Sequence, residues 1–221
     1  MLALGAVGLG ACAVLAACSP VQFGAAAIVG NQRITVSALD TQVSNLQEAA
    51  KPYGSTLPIT TAEMPTEVLS WLIRFEVMNQ VAASNGISVT DAQSDAGLSS
   101  LDAVAQENGF TSTSELLVAN GVSPQMFPLV GRWNAQQTAY GLKSNNGQEP
   151  TTTAEQTAFT NAINKAQCTA ASSLNIQVSP QFGRFDYASA TFGVVATEDT
   201  LSRPEPAPSP ASTEGLTPAA C

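Results

Sequence analysis

The sequence contains no histidine, and this absence removes several kinds of chemistry at once. Histidine is the commonest general base at neutral pH, and Ser-His-Asp and Cys-His nucleophilic sites depend on it. Zinc sites with an imidazole ligand are excluded for the same reason. The four cysteines form no C-x-x-C motif, so neither a redox pair nor a zinc knuckle is indicated. We therefore expect no catalytic site and no cofactor.

Positive charge is also scarce. The chain has 8 Lys+Arg against 17 Asp+Glu, which gives a net charge of −9. Nucleic acids and anionic lipid headgroups are bound through clustered basic side chains, so this balance argues against both as partners. Only 11% of the 221 residues are charged while 44% are apolar, and only 6% are aromatic. This length and composition predict one ordinary domain with terminal extensions and a core of mostly small side chains.

The first seventeen residues carry no charged side chain and end in Leu15-Ala16-Ala17-Cys18. This segment resembles a bacterial lipoprotein signal peptide, in which small residues precede the cysteine that receives the lipid. An apolar run of about 7–15 residues followed by small residues is typical of an export signal rather than of a membrane-spanning helix. The resemblance implies cleavage before Cys18, palmitate-type lipid on Cys18, and attachment to the extracytoplasmic face of the cell membrane. No Lys or Arg precedes Arg33, and an uncleaved N-terminal membrane anchor is the alternative.

Two cysteines remain once the signal peptide and the lipid are accounted for. Cleavage would remove Cys12 and lipid would occupy Cys18, which leaves Cys168 and Cys221 in a compartment where disulfides persist. One alternative is a Cys168–Cys221 bridge that ties the end of the chain to the domain. The other is a buried Cys168 and a free terminal thiol.

The middle of the chain alternates helix start signals with helix stop signals. A hairpin is predicted over residues 26–35, with Gly30-Asn31 as its turn, and a helix follows from a cap at Ser37. Residues 67–85 are apolar around most of a helical circumference, which predicts a central helix. Further helices are predicted near residues 91–108, 113–120, 124–143 and 153–173. Their caps are Thr90, Ser112, Ser123 and Thr152, with Pro124 in the first turn after Ser123. Asn-Gly-apolar triplets starting at residues 85, 108 and 120 mark helix ends.

The composition and the periodicity of the sequence change after the last predicted helix. Residues 175–178 alternate as a strand does, and residues 181–192 show no helical period. Five of the thirteen prolines fall within residues 197–221, which predicts a disordered, acidic, Pro-rich tail. The predicted organisation is a signal peptide (1–17), a tether (18–25), a helical domain (26–195) and the tail (196–221).

The order of these elements resembles the SurA-type N-terminal domain of extracytoplasmic foldases. The resemblance covers residues 26–187 and depends on the strand-helix start at 30–39, the helix end at 82–90 and the closing strand at 178–186. In particular, the chain is similar to short actinobacterial lipoproteins that carry this domain alone. The resemblance implies a mainly α, multi-helix chaperone domain with a small β-sheet made from the N-terminal hairpin and a C-terminal strand. It also implies binding of unfolded or newly exported polypeptides without ATP or cofactor.

Full-length relatives of this kind also carry parvulin-type prolyl isomerase domains. Such a module needs an additional mixed α/β segment and active-site histidines, and this sequence offers neither. We therefore expect that the protein is not an enzyme.

Apolar side chains are the candidates for client binding, because Met and aromatic residues suit promiscuous capture of apolar segments. The candidates lie on the central helix and on the helix after Pro124: Trp71, Phe75, Met78, Met126, Phe127 and Trp133. Ordinary core packing is the alternative for each, and exposure is expected first for Met126 and Phe127. The leading hypothesis is a membrane-anchored extracytoplasmic holdase; the alternative is a non-catalytic lipoprotein that binds one dedicated envelope partner.

Overall fold

The computed structural model describes residues 23–187 and 192–196. The predicted signal peptide, the first part of the tether and residues 197–221 of the predicted tail lie outside the described residues. Within the described part, seven α-helices are flanked by short strands. The helices are α1 (Val36–Ala50), α2 (Met64–Ser84), α3 (Asp91–Ser99), α4 (Leu101–Glu107), α5 (Thr113–Ala119), α6 (Phe127–Ser144) and α7 (Thr153–Ser173). The strands are β1 (Ala25–Val29), β2 (Gln32–Thr35), β3 (Gln177–Val178), β4 (Arg184–Asp186) and β5 (Gly193–Val195).

The predicted N-terminal hairpin forms and joins a C-terminal strand. β1 pairs antiparallel with β2 on one side and with β3 on the other, so the sheet order is β2-β1-β3. The turn glycine, Gly30, has a φ of 60°, and its amide donates a 2.7 Å hydrogen bond to the Leu174 carbonyl just after α7. A Cβ at Gly30 would lie 2.8 Å from Leu174 Cδ2, so both the positive φ and the close contact favour glycine. The mainly α fold with a small sheet is thus confirmed.

The closing strand differs from its prediction. The structure divides residues 178–186 into β3 and β4, with turns in which Phe182 N donates to Ser179 O and Gly183 N to Pro180 O. Pro180 has no backbone N–H to give to a ladder, which explains the interruption. β4 then pairs antiparallel with β5, a strand that the sequence reading did not identify.

Most helix ends follow the sequence signals. Each Asn-Gly-apolar triplet closes its helix with a 2.9 Å backbone bond, from Ile87 N, Phe110 N and Val122 N to a carbonyl five residues earlier. Thr90 and Thr152 head complete capping boxes. Ser112 caps α5, but the Glu115 carboxylate accepts hydrogen bonds from Thr111 instead of from the cap residue.

Three helix starts or spans are corrected. α1 is capped by Thr35, whose hydroxyl accepts from Ala38 N at 3.0 Å, and not by Ser37. The segment after Ser123 begins as a single 3-10 turn, Pro124–Met126, before α6. The helix predicted over residues 91–108 is interrupted at Ser100. There the Gly97 carbonyl accepts from the Ser100 hydroxyl and the Asn134 amide, each at 2.9 Å, so it is occupied by side-chain donors.

α2 is the centre of the domain, as its sequence predicts. Twelve of its residues are buried, and they face α1, α6, α7, β1 and β5. α3 crosses α6 with the two backbones in contact, because both helices carry glycine at the crossing, Gly97 and Gly131. The two longest helices, α2 and α7, border a groove on the surface of the domain.

Candidate functional site

The structure places most of the predicted client-binding side chains in the core. Five of them expose 6% or less of their surface: Trp71, Phe75, Met78, Met126 and Trp133. Phe127 is half-buried against the same core. The expectation that Met126 is exposed is wrong, because its 3-10 turn packs against α1 and encloses the side chain. In this conformation the five buried side chains pack the helices together and are not accessible to a client.

Trp71 links three parts of the fold. Its indole Nε1 donates a 2.8 Å hydrogen bond to the Asn120 carbonyl at the end of α5. Its ring meets Trp133 of α6 edge-on at 5.5 Å and lies 5.8 Å from Phe75. Such aromatic pairs add to the stabilisation that burial provides, which explains why these side chains serve packing.

A buried polar contact fixes β5 on α2. The Arg74 guanidinium is 3% exposed, donates from Nε to the Phe192 carbonyl at 3.0 Å, and lies 4.9 Å from the centre of the Trp71 ring. The Ser70 hydroxyl accepts a 2.8 Å hydrogen bond from Val194 N. Burial lowers the pKa of Arg74 to about 10, while the nearby Glu67 carboxylate acts in the opposite direction. Ser70 and Arg74 therefore position the C-terminal strand pair, and both side chains are buried away from solvent.

A surface groove with a volume of about 490 Å³ runs between α2, α6 and α7. This volume is in the range of ligand-binding clefts. One wall is the C-terminal part of α2, the other is one face of α7, and Tyr140 of α6 lies between them. The lining residues are Gln80, Val81, Ser84, Asn85, Tyr140, Ala162, Lys165, Ala166, Thr169, Ala170 and Ser173.

Small side chains give the groove its depth. Ala162, Ala166 and Ala170 follow one another at intervals of four, so they lie along one face of α7. Polar side chains such as Gln80, Ser84 and Thr169 supply hydrogen-bonding groups at its margins. A surface that combines apolar floor and polar margin suits a polypeptide segment, whose backbone needs hydrogen-bond partners and whose side chains need apolar contact.

The groove carries positive charge in a strongly acidic protein. Lys165 is the charged group among the described lining residues, and no carboxylate lies among them. At the α2 end, the Lys143 ammonium donates a 2.5 Å hydrogen bond to the Asn85 carbonyl. None of the client-binding residues predicted from the sequence lines this groove. The one sequence feature that could have indicated the groove is the four-residue spacing of alanines in α7. The same spacing also occurs on buried helix faces, so it does not distinguish a groove from a core.

The described residues show neither a metal site nor a membrane span. No group of three or more Cys, Asp or Glu side chains there could hold a metal ion. Among the helices in residues 23–187, none combines the length and apolar character that crossing a bilayer requires.

The fold is a mainly helical domain with a small sheet, and comparison with protein families identifies the family of this domain. A family model for the SurA-like N-terminal domain matches residues 2–129, more than half of the chain. The chain belongs to this family, which is associated with chaperone-like function. α7 and β3 to β5 lie beyond the matched residues. No curated protein and no solved structure gives a significant match.

Proposed function

We propose that this protein is an ATP-independent holdase that binds unfolded segments of exported polypeptides in the α2–α6–α7 groove. The observation that carries the proposal is the groove itself, with an alanine floor, polar margins and one lysine. Family membership supports the same class of function. Because five of the six predicted aromatic and Met residues are buried and Phe127 is half-buried, we assign client contact to the groove in their place.

The proposal also includes a lipid anchor and the absence of catalysis. Lipid on Cys18 would hold the domain at the extracytoplasmic face of the cell membrane, and more than one acyl chain makes such an anchor stable. The lipobox-like Leu15-Ala16-Ala17-Cys18 supports this. The lack of histidine supports a binding role without prolyl isomerase activity. Cys18→Ser tests the anchor: it should abolish labelling by a palmitate analogue and release the protein from the membrane fraction.

The holdase proposal is tested with the chain from Ser19 onward, which retains every described residue. Aggregation of several unrelated unfolded proteins is followed by light scattering at near-equimolar ratio. Suppression across these clients is the expected result. A folded, soluble domain that suppresses none of them would contradict the proposal and favour a dedicated envelope partner, to be sought by pull-down from the native envelope.

A further inference from the structure

Acidic residues are almost absent from the helices that border the groove. α6 carries Arg132 and Lys143 and no acidic residue. The acidic residue of α7 is Glu155, which lies in the first turn and belongs to the capping box, away from the groove. On α2, Glu76 comes one turn before Gln80 and is not a lining residue. The groove is therefore a positively charged site in a protein with a net charge of −9.

The Lys165 ammonium is available to a ligand. Its side chain is exposed, and none of the described carboxylates lies within ion-pair distance of it. The Asn85 carbonyl, which carries partial negative charge at the end of α2, already accepts the 2.5 Å hydrogen bond from Lys143. An anionic group that enters the groove therefore meets one ammonium among the lining residues and another at the α2 end.

The length of the groove sets the length of the segment it holds. The lining face of α7 runs from Ala162 to Ser173, which is about 16 Å at a rise of about 1.5 Å per residue. An extended polypeptide advances about 3.3 Å per residue, so about five residues of a client fit along this face. Lys165 lies about 4–5 Å from the Ala162 end, within reach of the first or second of these residues.

The position of Lys165 at the exposed edge decides how strong the pairing is. Alternate side chains of an extended segment point toward the alanine floor and away from it. An acidic side chain that points away from the floor reaches the ammonium while it stays hydrated, so the pair avoids the desolvation cost of a buried pair. An exposed pair of this kind changes affinity by about two- to fivefold, which is a preference and not a requirement.

We propose that the α2–α6–α7 groove prefers extended client segments of about five residues that contain an acidic side chain, whose carboxylate pairs with the Lys165 ammonium. This inference rests on the proposed function, because it names the class of segment that the same groove binds. Charge complementarity carries it: the groove is lined by a lysine and by no carboxylate.

A double-mutant cycle with the purified full chain tests the pairing. The probe is a labelled, unfolded peptide of alanine, serine and valine with an amidated C-terminus, made with either glutamate or glutamine at the same positions. Fluorescence anisotropy should show that the wild type binds the glutamate form about two- to fivefold more tightly, and less so as salt is added. Lys165→Gln should remove this preference. Lys51→Gln, which removes an exposed lysine outside the groove, should retain it.

Reversal of the charge gives a second readout. Lys165→Glu should prefer a form of the peptide with lysine at the same positions, and circular dichroism checks that each variant is folded. A preference that is absent in the wild type, or that persists in Lys165→Gln, would overturn the inference and leave the proposed function standing. A preference that needs a free C-terminal carboxylate would assign Lys165 to chain ends and overturn it as well. A wild type that binds neither peptide would contradict both the inference and the proposed function.

Discussion

The hydroxyl of Ser70 accepts a hydrogen bond from the backbone amide of Val194 at 2.8 Å, across 124 positions of the sequence. The same hydroxyl donates to the Thr66 carbonyl of α2 at 2.8 Å, and Ser70 is 2% exposed. Gly193 permits the contact, since a Cβ there would lie 2.8 Å from the hydroxyl oxygen. One serine therefore joins β5 to the central helix.

Ser70→Ala should destabilise the domain. It leaves Val194 N–H buried without an acceptor, and an unsatisfied buried group costs about 1–3 kcal/mol. We expect the free energy of unfolding, measured with urea, to fall by that amount. Ser84→Ala, at an exposed position of the same helix, is the control and should change it by less than about 0.5 kcal/mol. Equal stability of both variants would mean that β5 does not depend on this contact.

Gly131→Ala should disturb the crossing of α3 and α6. The added methyl would meet the Ser94 carbonyl, which is backbone and cannot rotate away, and would lie 3.0 Å from Leu98 Cβ. Overpacking costs about 1–3 kcal/mol, against a gain in helix propensity of about 1 kcal/mol or less. We expect a net loss of about 1–2 kcal/mol in chemical denaturation.

Ser99→Ala is the control for the crossing, because Ser99 is an exposed residue of α3. It should leave stability nearly unchanged. A Gly131→Ala protein more stable than the wild type would show that the two helices are further apart than the structure has them.

Glu67 should make stability fall as pH rises. Burial raises the pKa of its carboxyl from 4.5, the Arg74 guanidinium lowers it, and Glu63 raises it. The folded state therefore holds this proton more tightly than the unfolded state. Its contribution is most favourable below pH 4.5 and is lost as pH rises through the raised pKa. Glu67→Gln should remove this part of the pH dependence.

The pH dependence is measured as the free energy of unfolding of wild type and variant from about pH 4 to about pH 7. The difference between the two proteins should change as pH rises from 4.5 through the raised pKa of Glu67. Glu107→Gln is the control, because it removes an exposed carboxylate and shows the effect of that loss on the free energy of unfolding. A constant difference between wild type and Glu67→Gln would contradict the assignment.

Gln167→Met should stabilise the protein. Gln167 is 1% exposed, and neither atom of its amide has a hydrogen-bond partner among the described residues. Methionine has a similar shape without polar atoms to desolvate, so the free energy of unfolding should rise by about 1–3 kcal/mol. Gln156→Met, exposed on the same helix, should leave it unchanged. A less stable Gln167→Met protein would show that this amide is hydrogen-bonded in solution.

Local signals in the sequence predicted the fold better than the site. Asn-Gly-apolar triplets and Thr caps act within one helical turn, so positions such as Gly86 and Thr152 could be read directly. The break at Ser100 and the strand at Gly193–Val195 depend on partners distant in the chain, Asn134 and Ser70. Nothing near them in the sequence indicates those partners.

The candidate site was missed for a similar reason. Aromatic and Met residues are suited both to a binding surface and to a core, and Trp71 and Met126 belong to the core. The groove consists instead of small and polar residues, whose importance depends on which helices border them. Ala166 and Gln80, for example, come together only when α7 packs beside α2.

The most direct test of the account compares two tryptophan substitutions on α7. Thr169 lines the groove and Thr157 does not, while both are exposed and both donate a hydroxyl hydrogen bond to the carbonyl four residues earlier. Binding of a labelled, permanently unfolded client is measured by fluorescence anisotropy, with circular dichroism as the check on folding. Thr169→Trp should weaken binding about tenfold or more, a loss of about 1.4 kcal/mol, and Thr157→Trp should bind as wild type does. Equal affinity of the two folded variants would contradict the claim that the groove is where the client binds.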